Sequence, residues 1–239
     1  GKLRADVISL HNYVDATQFH PDPLSQASGA DETGKIMRSL GYELGFRIES
    51  GAEKISLIDE RGTWLHPMRL LSIVTKLFLE TNKHREPYKI AVSIVASQEI
   101  EMIASEYDVE VVRINNSHSA MMDATTDHEV LFVGGVWGGF IFSDFLFASD
   151  GMFSLGKILE MLASCNSKVS TIDETLPVRY TSHKEVDVPW NSKGTVMRKG
   201  MEHSENMNRQ LVEGVKIFDN GTAVLLLPSK ERPVFSIYG

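Results

Sequence analysis

The sequence predicts an α/β protein: two mixed-sheet α/β units, the first truncated, followed by a small α+β unit. Three observations carry that expectation. Between residues 44 and 163, short apolar runs alternate with segments of helical spacing, the pattern of sheets covered by helices. After Cys165-Asn166-Ser167 the composition changes, and residues 171–188 mix charges around Pro177, with Pro189 just beyond. Further on, Asp219-Asn220-Gly221 separates two apolar runs, a hairpin signal. The units are accordingly set at 1–63, 64–166 and 167–239.

Residues 7–10 (Val-Ile-Ser-Leu) read as a strand, and residues 12–23, punctuated by His20-Pro21-Asp22-Pro23, as a loop. Residues 31–40 have helical spacing, with Gly41 where a helix stop belongs. Residues 44–48 and 54–58 are short strands, and Glu60-Arg61-Gly62 is a turn. Pro67 stands in the first turn of a helix whose stripe is Leu70, Leu71, Val74, Leu77 and Phe78. A strand over 90–96, a helix over 99–106 and a strand over 109–114 follow. Val130 to Val133 and the alternating Phe140-Ile141-Phe142 read as two further strands. Ser149-Asp150 caps a helix from about residue 152 to 163, whose Leu155, Ile158, Leu159 and Leu162 face the core. In the tail, 194–211 reads as a helix, 215–218 and 223–227 as a hairpin, and 234–238 as a last strand.

The chain has 239 residues and a net charge of −8, with 42% hydrophobic and 23% charged residues, which is ordinary globular material. The charge is uneven: 14 basic and 23 acidic residues fall in 1–165, against 10 and 9 in 166–239. Neither part carries the basic footprint of a nucleic-acid binder. Cys165 stands alone, which excludes an internal disulfide and a cysteine zinc site and suits a reducing compartment. No apolar run is long enough to span a membrane and no secretory leader pattern is present, so a cytoplasmic location is expected. The chain opens Gly-Lys-Leu-Arg without methionine, and a fragment is expected.

The stretch Gly134-Gly135-Val136-Trp137-Gly138-Gly139-Phe140 poses the main question. A dinucleotide fingerprint would open a helix and a Walker loop would end in Lys-Ser/Thr; neither pattern fits, which leaves a bend between strands or a close backbone approach to a ligand. The eight histidines form no i, i+4 pair about a glutamate, the spacing a helical zinc site needs. Asp144 and Asp150 lie near one another in sequence, but Asp150 is accounted for as a helix cap.

Several stretches in one order resemble the α-D-phosphohexomutase superfamily, the phosphomannomutases and phosphoglucomutases, from about residue 5 to the end. They are Val7 to Leu10 with His20-Pro21-Asp22-Pro23-Leu24, Leu44-Gly45 to Asp59-Glu60-Arg61-Gly62, and Ala148-Ser149-Asp150-Gly151 with Leu159-Glu160-Met161-Leu162-Ala163. Val188-Pro189-Trp190, Lys193-Gly194-Thr195-Val196-Met197-Arg198 and Glu213-Gly214-Val215-Lys216 continue the series. These last resemble the mutase-like tail of bacterial mannose-1-phosphate guanylyltransferase fusion proteins. The resemblance implies part of a second domain, a third and a fourth. It also implies an activity that moves a phosphoryl group between O1 and O6 of a hexose, with a phosphoserine on the first domain and Mg²⁺ on the second.

Each motif the resemblance implies is altered in this chain. The metal loop D-x-D-x-D-R is matched by Glu49, Gly51, Glu53 and Lys54, with one carboxylate lost and two lengthened, against the near-octahedral demand of Mg²⁺. The sugar loop G-G-E-x-S-G-H keeps Gly135, but Val136 replaces the glutamate, Gly138 the serine and Phe140 the histidine. The phosphate loop R-P-S-G-T-E-P keeps Ser229, while Leu227, Lys230, Glu231 and Arg232 replace the arginine, glycine, threonine and glutamate. Asn116-Ser117-His118-Ser119 stands where a V-G-x-K lysine would be.

The expectation is a motif-degenerate phosphohexomutase relative without catalytic residues, metal or cofactor. It would serve as a structural or regulatory C-terminal module of a sugar-nucleotide enzyme, with the upstream domains of the parent chain and a hexose phosphate as partners. The alternatives are part of an active mutase, or a sugar-phosphate sensor.

Overall fold

The computed structural model describes residues 5–10, 23–85, 87–177, 182–219 and 222–239, with the backbone alone over 23–31. Helix α1 (Pro23–Leu40) starts well before the expected residue 31. It ends in a Schellman turn: Gly41 takes φ +71° and the Tyr42 amide donates to Met37 O at 3.1 Å, satisfying a carbonyl the helix leaves open. Strands β1 (Gly45–Ile48) and β2 (Ile55–Ile58) pair antiparallel, Gly45 opposite Ile58 and Ile48 opposite Ile55. The buried Asp59 carboxylate then accepts from the amides of Arg61 (3.1 Å) and Thr63 (2.7 Å), fixing the turn read from Glu60-Arg61-Gly62.

The middle layer is built on helix α2 (Pro67–Asn82), which the Nδ1 of His66 caps by accepting from the Met68 amide. Strand β3 (Lys89–Ser93), helix α3 (Glu99–Ser105), strand β4 (Glu110–Ile114), helix α4 (His118–Ala124) and strands β5 (Val130–Gly134) and β6 (Phe140–Phe142) follow. The sheet order is β4-β3-β5-β6, with β3 parallel to β4 and β5 and with β6 antiparallel to β5. Parallel neighbours need covered crossovers, and α3 and α4 supply them. Helix α5 (Gly151–Ser164) is capped as expected, with Asp150 accepting from the Phe153 amide at 2.8 Å. Leu70, Leu71, Val74, Leu77 and Phe78 of α2 are buried in one core with Ile90, Phe132, Phe140, Phe142 and Ile158. Within it Phe132 lies 5.1 Å from Phe78 and 5.4 Å from Phe142, ring centre to ring centre.

The C-terminal layer is a five-stranded antiparallel sheet in the order β7-β11-β10-β9-β8. It is made of β7 (His183–Asp187), β8 (Arg209–Gln210), β9 (Val215–Asp219), β10 (Thr222–Pro228) and β11 (Val234–Tyr238), with helix α7 (Trp190–His203) after β7. Leu225 and Leu227 of β10 join the same core as α2. No described helix is long and apolar enough to cross a membrane.

Several expectations are corrected. Residues 7–10 form no strand; Val7, Ile8 and Leu10 are exposed, since a strand exists only where a neighbour takes its ladder hydrogen bonds. The His20-Pro21-Asp22 part of the loop lies outside the described residues, as does the Asn220-Gly221 turn. The tail helix spans 190–203 rather than 194–211: Gly194 and Gly200 weaken the local signal, and residues 209–210 pair with β9 instead. Within 171–188, where the change of composition marked a boundary, lie part of helix α6 (Val169–Thr175) and the whole of β7. α6 follows the boundary read at residue 166 yet packs on α2. A seven-residue helix is not stable alone. This one is held by Glu60, whose carboxylate accepts from the Ser170 amide and hydroxyl, and by the Arg69–Asp173 ion pair.

Truncating Phe132→Ala removes a fully buried ring at the centre of the aromatic cluster. A loss of about 3–5 kcal/mol is expected, seen as a lower midpoint in urea unfolding.

Candidate functional site

The carboxyl ends of the parallel strands β3, β4 and β5 open into loops along one edge of the sheet, the place where α/β folds take ligands. The loop after β5 is the glycine stretch. It folds back as a tight turn, with the Gly135 amide donating to Gly139 O at 2.9 Å and Gly134 opposite Phe140. Val136 is only 2% exposed and joins the core, whereas Trp137 is 61% exposed. Gly138 adopts φ +82°, and a Cβ there would stand 2.1 Å from the carbonyl oxygen of Ile55.

That close approach is a pairing between two of the motifs read from the sequence. Ile55 donates its amide to Gly138 O at 3.0 Å, and Lys54 bridges to Gly139. The start of α5 closes on the same place, where the Gly151 amide donates to Ala52 O at 2.7 Å. The structure therefore brings Gly135, Val136 and Gly138 together with the Glu49–Lys54 turn, through backbone contacts.

The polar side chains of that turn are not aimed at a common point. Glu49 Oε1 accepts from Arg47 Nη2 (2.8 Å) and Nε (3.3 Å) and from Ser56 Oγ (3.3 Å). Arg47 in turn lies over the Trp64 ring at 5.2 Å. Gly51 offers no side chain, Glu53 is exposed, and Lys54 brings a positive charge into the turn. Among the described residues no three of His, Cys, Asp and Glu gather as a metal ligand set would. These residues do not fit Mg²⁺, which needs several oxygen ligands at about 2.0–2.1 Å in octahedral array.

The phosphate-loop stretch connects β10 to β11 in the other layer. Its Ser229 Oγ accepts from the amides of Glu231 (3.3 Å) and Arg232 (3.1 Å), the donors a phosphate oxygen would seek. Lys193, stacked on Trp190 at 3.9 Å, donates to the carbonyls of Ser229 and Arg232. Lys230 pairs with Glu213 at 2.7 Å. Arg232 makes a two-pronged pair with Glu185, and its hydrogen bonds hold the Glu185 carboxyl below the usual range. Ser229, Lys230 and Arg232 thus already have internal partners.

Four residues at or near this meeting of layers were given no site role by the sequence, although Glu213 and Lys216 lie in a stretch that carries the resemblance. Glu213, with a side chain 10% exposed, accepts from the Asn116 amide through Oε2 (2.8 Å) while its other oxygen holds Lys230. Glu185 neutralises Arg232. Lys216, 4% exposed, donates to the carbonyls of Ile94 (2.9 Å) and Ala96 (3.1 Å) after β3. Arg113 donates to Ser93 O, Ala96 O and Ser97 O and pairs with Glu101. The available signal was a lysine inside the apolar run Val215-Lys216-Ile217-Phe218.

A four-stranded mixed sheet with α2, α3 and α5 over one face and α4 over the other, its glycine turn docked on the preceding hairpin, is an α/β/α layering. Residues 66–180 match the phosphoglucomutase/phosphomannomutase family, α/β/α domain III. Over 98% of its length the chain is 24% identical to the phosphoglucosamine mutase of Methanocaldococcus jannaschii. Over 99% it is 26% identical to the phosphoglucomutase/phosphomannomutase of Thermococcus kodakarensis. It spans 53% and 52% of those relatives, about half their length. A phosphoglucomutase/phosphomannomutase family protein from Burkholderia thailandensis shares the fold, with TM-score 0.74 and 17% identity over 92% of this chain and 46% of that one. The chain is thus similar to phosphoglucomutase/phosphomannomutase-type proteins, and the family match lies over residues 66–180.

Gly138→Ala forces a Cβ against a backbone oxygen in a left-handed conformation. A loss of at least about 2 kcal/mol is expected in urea unfolding. Gly51→Ala, where a Cβ would meet only the exposed Glu53 side chain at 4.0 Å, should change stability by less than about 1 kcal/mol.

Proposed function

We propose that this chain is a non-catalytic structural or regulatory module of the phosphohexomutase superfamily, the C-terminal part of a longer cytoplasmic sugar-nucleotide enzyme of the mannose-1-phosphate guanylyltransferase type. The observation that carries this reading is internal neutralisation. Lys230 and Arg232 are paired with Glu213 and Glu185, and the Ser229 hydroxyl takes the neighbouring amides. A phosphate dianion would have to compete with two carboxylates for these exposed cations. The metal turn supports the same reading, because Glu49 is committed to Arg47 and Ser56. A third support lies in the glycine turn, where Val136 is core. In this reading residues 1–63 are the remnant of a second domain and 167–239 a fourth, and the layers act as a scaffold for the rest of the parent chain. The single cysteine agrees with a reducing compartment.

The test is thermal unfolding of the chain titrated with the 1- and 6-phosphates of glucose, mannose and glucosamine, with and without Mg²⁺. A ligand at one hundred times its dissociation constant adds about 2.7 kcal/mol, which raises Tm by roughly 5–10 °C at this size. No shift is expected with any of them. A saturable rise without turnover would replace this reading with a sensor, and turnover by the parent chain with a mutase.

A further inference from the structure

We propose that residues 213–216 form a catch that seats the C-terminal sheet on the carboxyl ends of β3 and β4 and fills the crevice between the two layers. Two side chains three residues apart reach two different loops of the middle layer. Glu213 takes the Asn116 amide after β4 and holds Lys230 with its second oxygen. Lys216 takes the Ile94 and Ala96 carbonyls after β3. The backbone between them is shaped for this: Glu213 adopts φ +59°, and a Cβ at Gly214 would stand 2.3 Å from Leu226 O. The segment is therefore pressed on β10 while its polar ends point across the interface. One of the two carbonyls Lys216 uses, that of Ala96, also accepts from Arg113, which takes Ser93 O and Ser97 O as well. The β3 end of the crevice is thus filled by two basic side chains that belong to the protein itself. The catch deepens the non-catalytic reading, resting on it for the claim that the crevice is closed to ligands.

The hold depends on pH. Facing the Lys216 amine are Arg113 from β4 and Glu101 from α3, with the Phe218 ring 6.0 Å away on its own strand. Burial, with the Arg113 charge adding to it and Glu101 opposing, pushes the amine down to about 7 from its ordinary 10.5. With the layers apart the amine meets water and keeps its ordinary value. Seating the sheet therefore releases a proton between about pH 7 and about pH 10.5, and the seated form gains as pH rises through that window. Below about pH 7 the amine is charged in both states and the gain is absent.

Thermal unfolding of the whole chain should be compared with that of the Lys216→Met variant, which keeps the length of the side chain and loses the amine. Between about pH 6.5 and about pH 9 the unaltered chain should gain on the variant by roughly 5 °C or more; parallel profiles would overturn the pH dependence. Should the variant not fold, ¹³Cε-lysine resonances of the unaltered chain give the same answer. One midpoint near 7 supports the catch; midpoints all near about 10 defeat it. Glu213→Gln, which keeps the shape and halves the acceptor strength, should speed hydrogen exchange at the Asn116 amide and along β9 while β3 and β5 stay protected. Unchanged exchange would remove Glu213 from the catch. These readouts contain no sugar phosphate, so their failure and a positive ligand titration are separate results.

Discussion

Burial of α2 is the constraint on which the other elements depend. Its apolar face is covered by the sheet, and α3, α5 and α6 lie against it. The side chains that meet there, Leu70, Leu77, Phe78, Ile90, Phe132 and Ile158, are fully or almost fully buried. Parallel strands cannot be closed by a two-residue turn, so β3, β4 and β5 have a stable arrangement only with helices across their faces. Even the C-terminal sheet shares this core, through Leu225 and Leu227. Arg69 adds a polar seam at the edge of α2, pairing with the nearly buried Glu99 and with Asp173 of α6. Removing one partner of such a pair leaves an uncompensated charge.

The loops around this core show backbone geometry and side-chain chemistry responding to different demands. The glycine turn is held by steric necessity: Ile55 O occupies the space a side chain at Gly138 would need. That necessity comes from docking on the β1–β2 hairpin and would exist with no ligand at all. The side chains around the turn answer instead to burial and charge balance, with Val136 in the core, Glu49 turned to Arg47, and Lys54 pairing through its backbone. In the other layer each cation of the 229–232 loop meets a carboxylate. Those on Arg232 and Lys230 are solvent-exposed pairs of small energetic weight. Their consequence is positional, since they occupy the atoms an anion would contact.

Much of the fold was legible in the residues. The helical stripe from Leu70 to Phe78, the cap at Asp150, the stop at Gly41 and the strands at 130–133 and 140–142 were readable from period and capping chemistry. Those signals are local, set by contacts within a few residues, and the structure keeps them. Helix α6 and strand β7 were not legible, because partners far away in the chain decide them; β8, which takes the residues expected to end α7, is two residues long and too short to carry a pattern. The same holds in reverse for Val7 to Leu10, strand-like by composition and unpaired here.

By itself the sequence determined the layer types and the order of the locally specified elements, since composition and spacing are properties of the chain alone; the altered sugar and metal motifs are read only through the family resemblance. Only the tertiary structure decided that the glycine turn rests on the β1–β2 hairpin, that Glu185 and Glu213 take the cations of the 229–232 loop, and that Lys216 lies buried between layers. Ion pairs and buried amines depend on which groups meet across tens to more than a hundred residues of chain, and no local pattern carries that information.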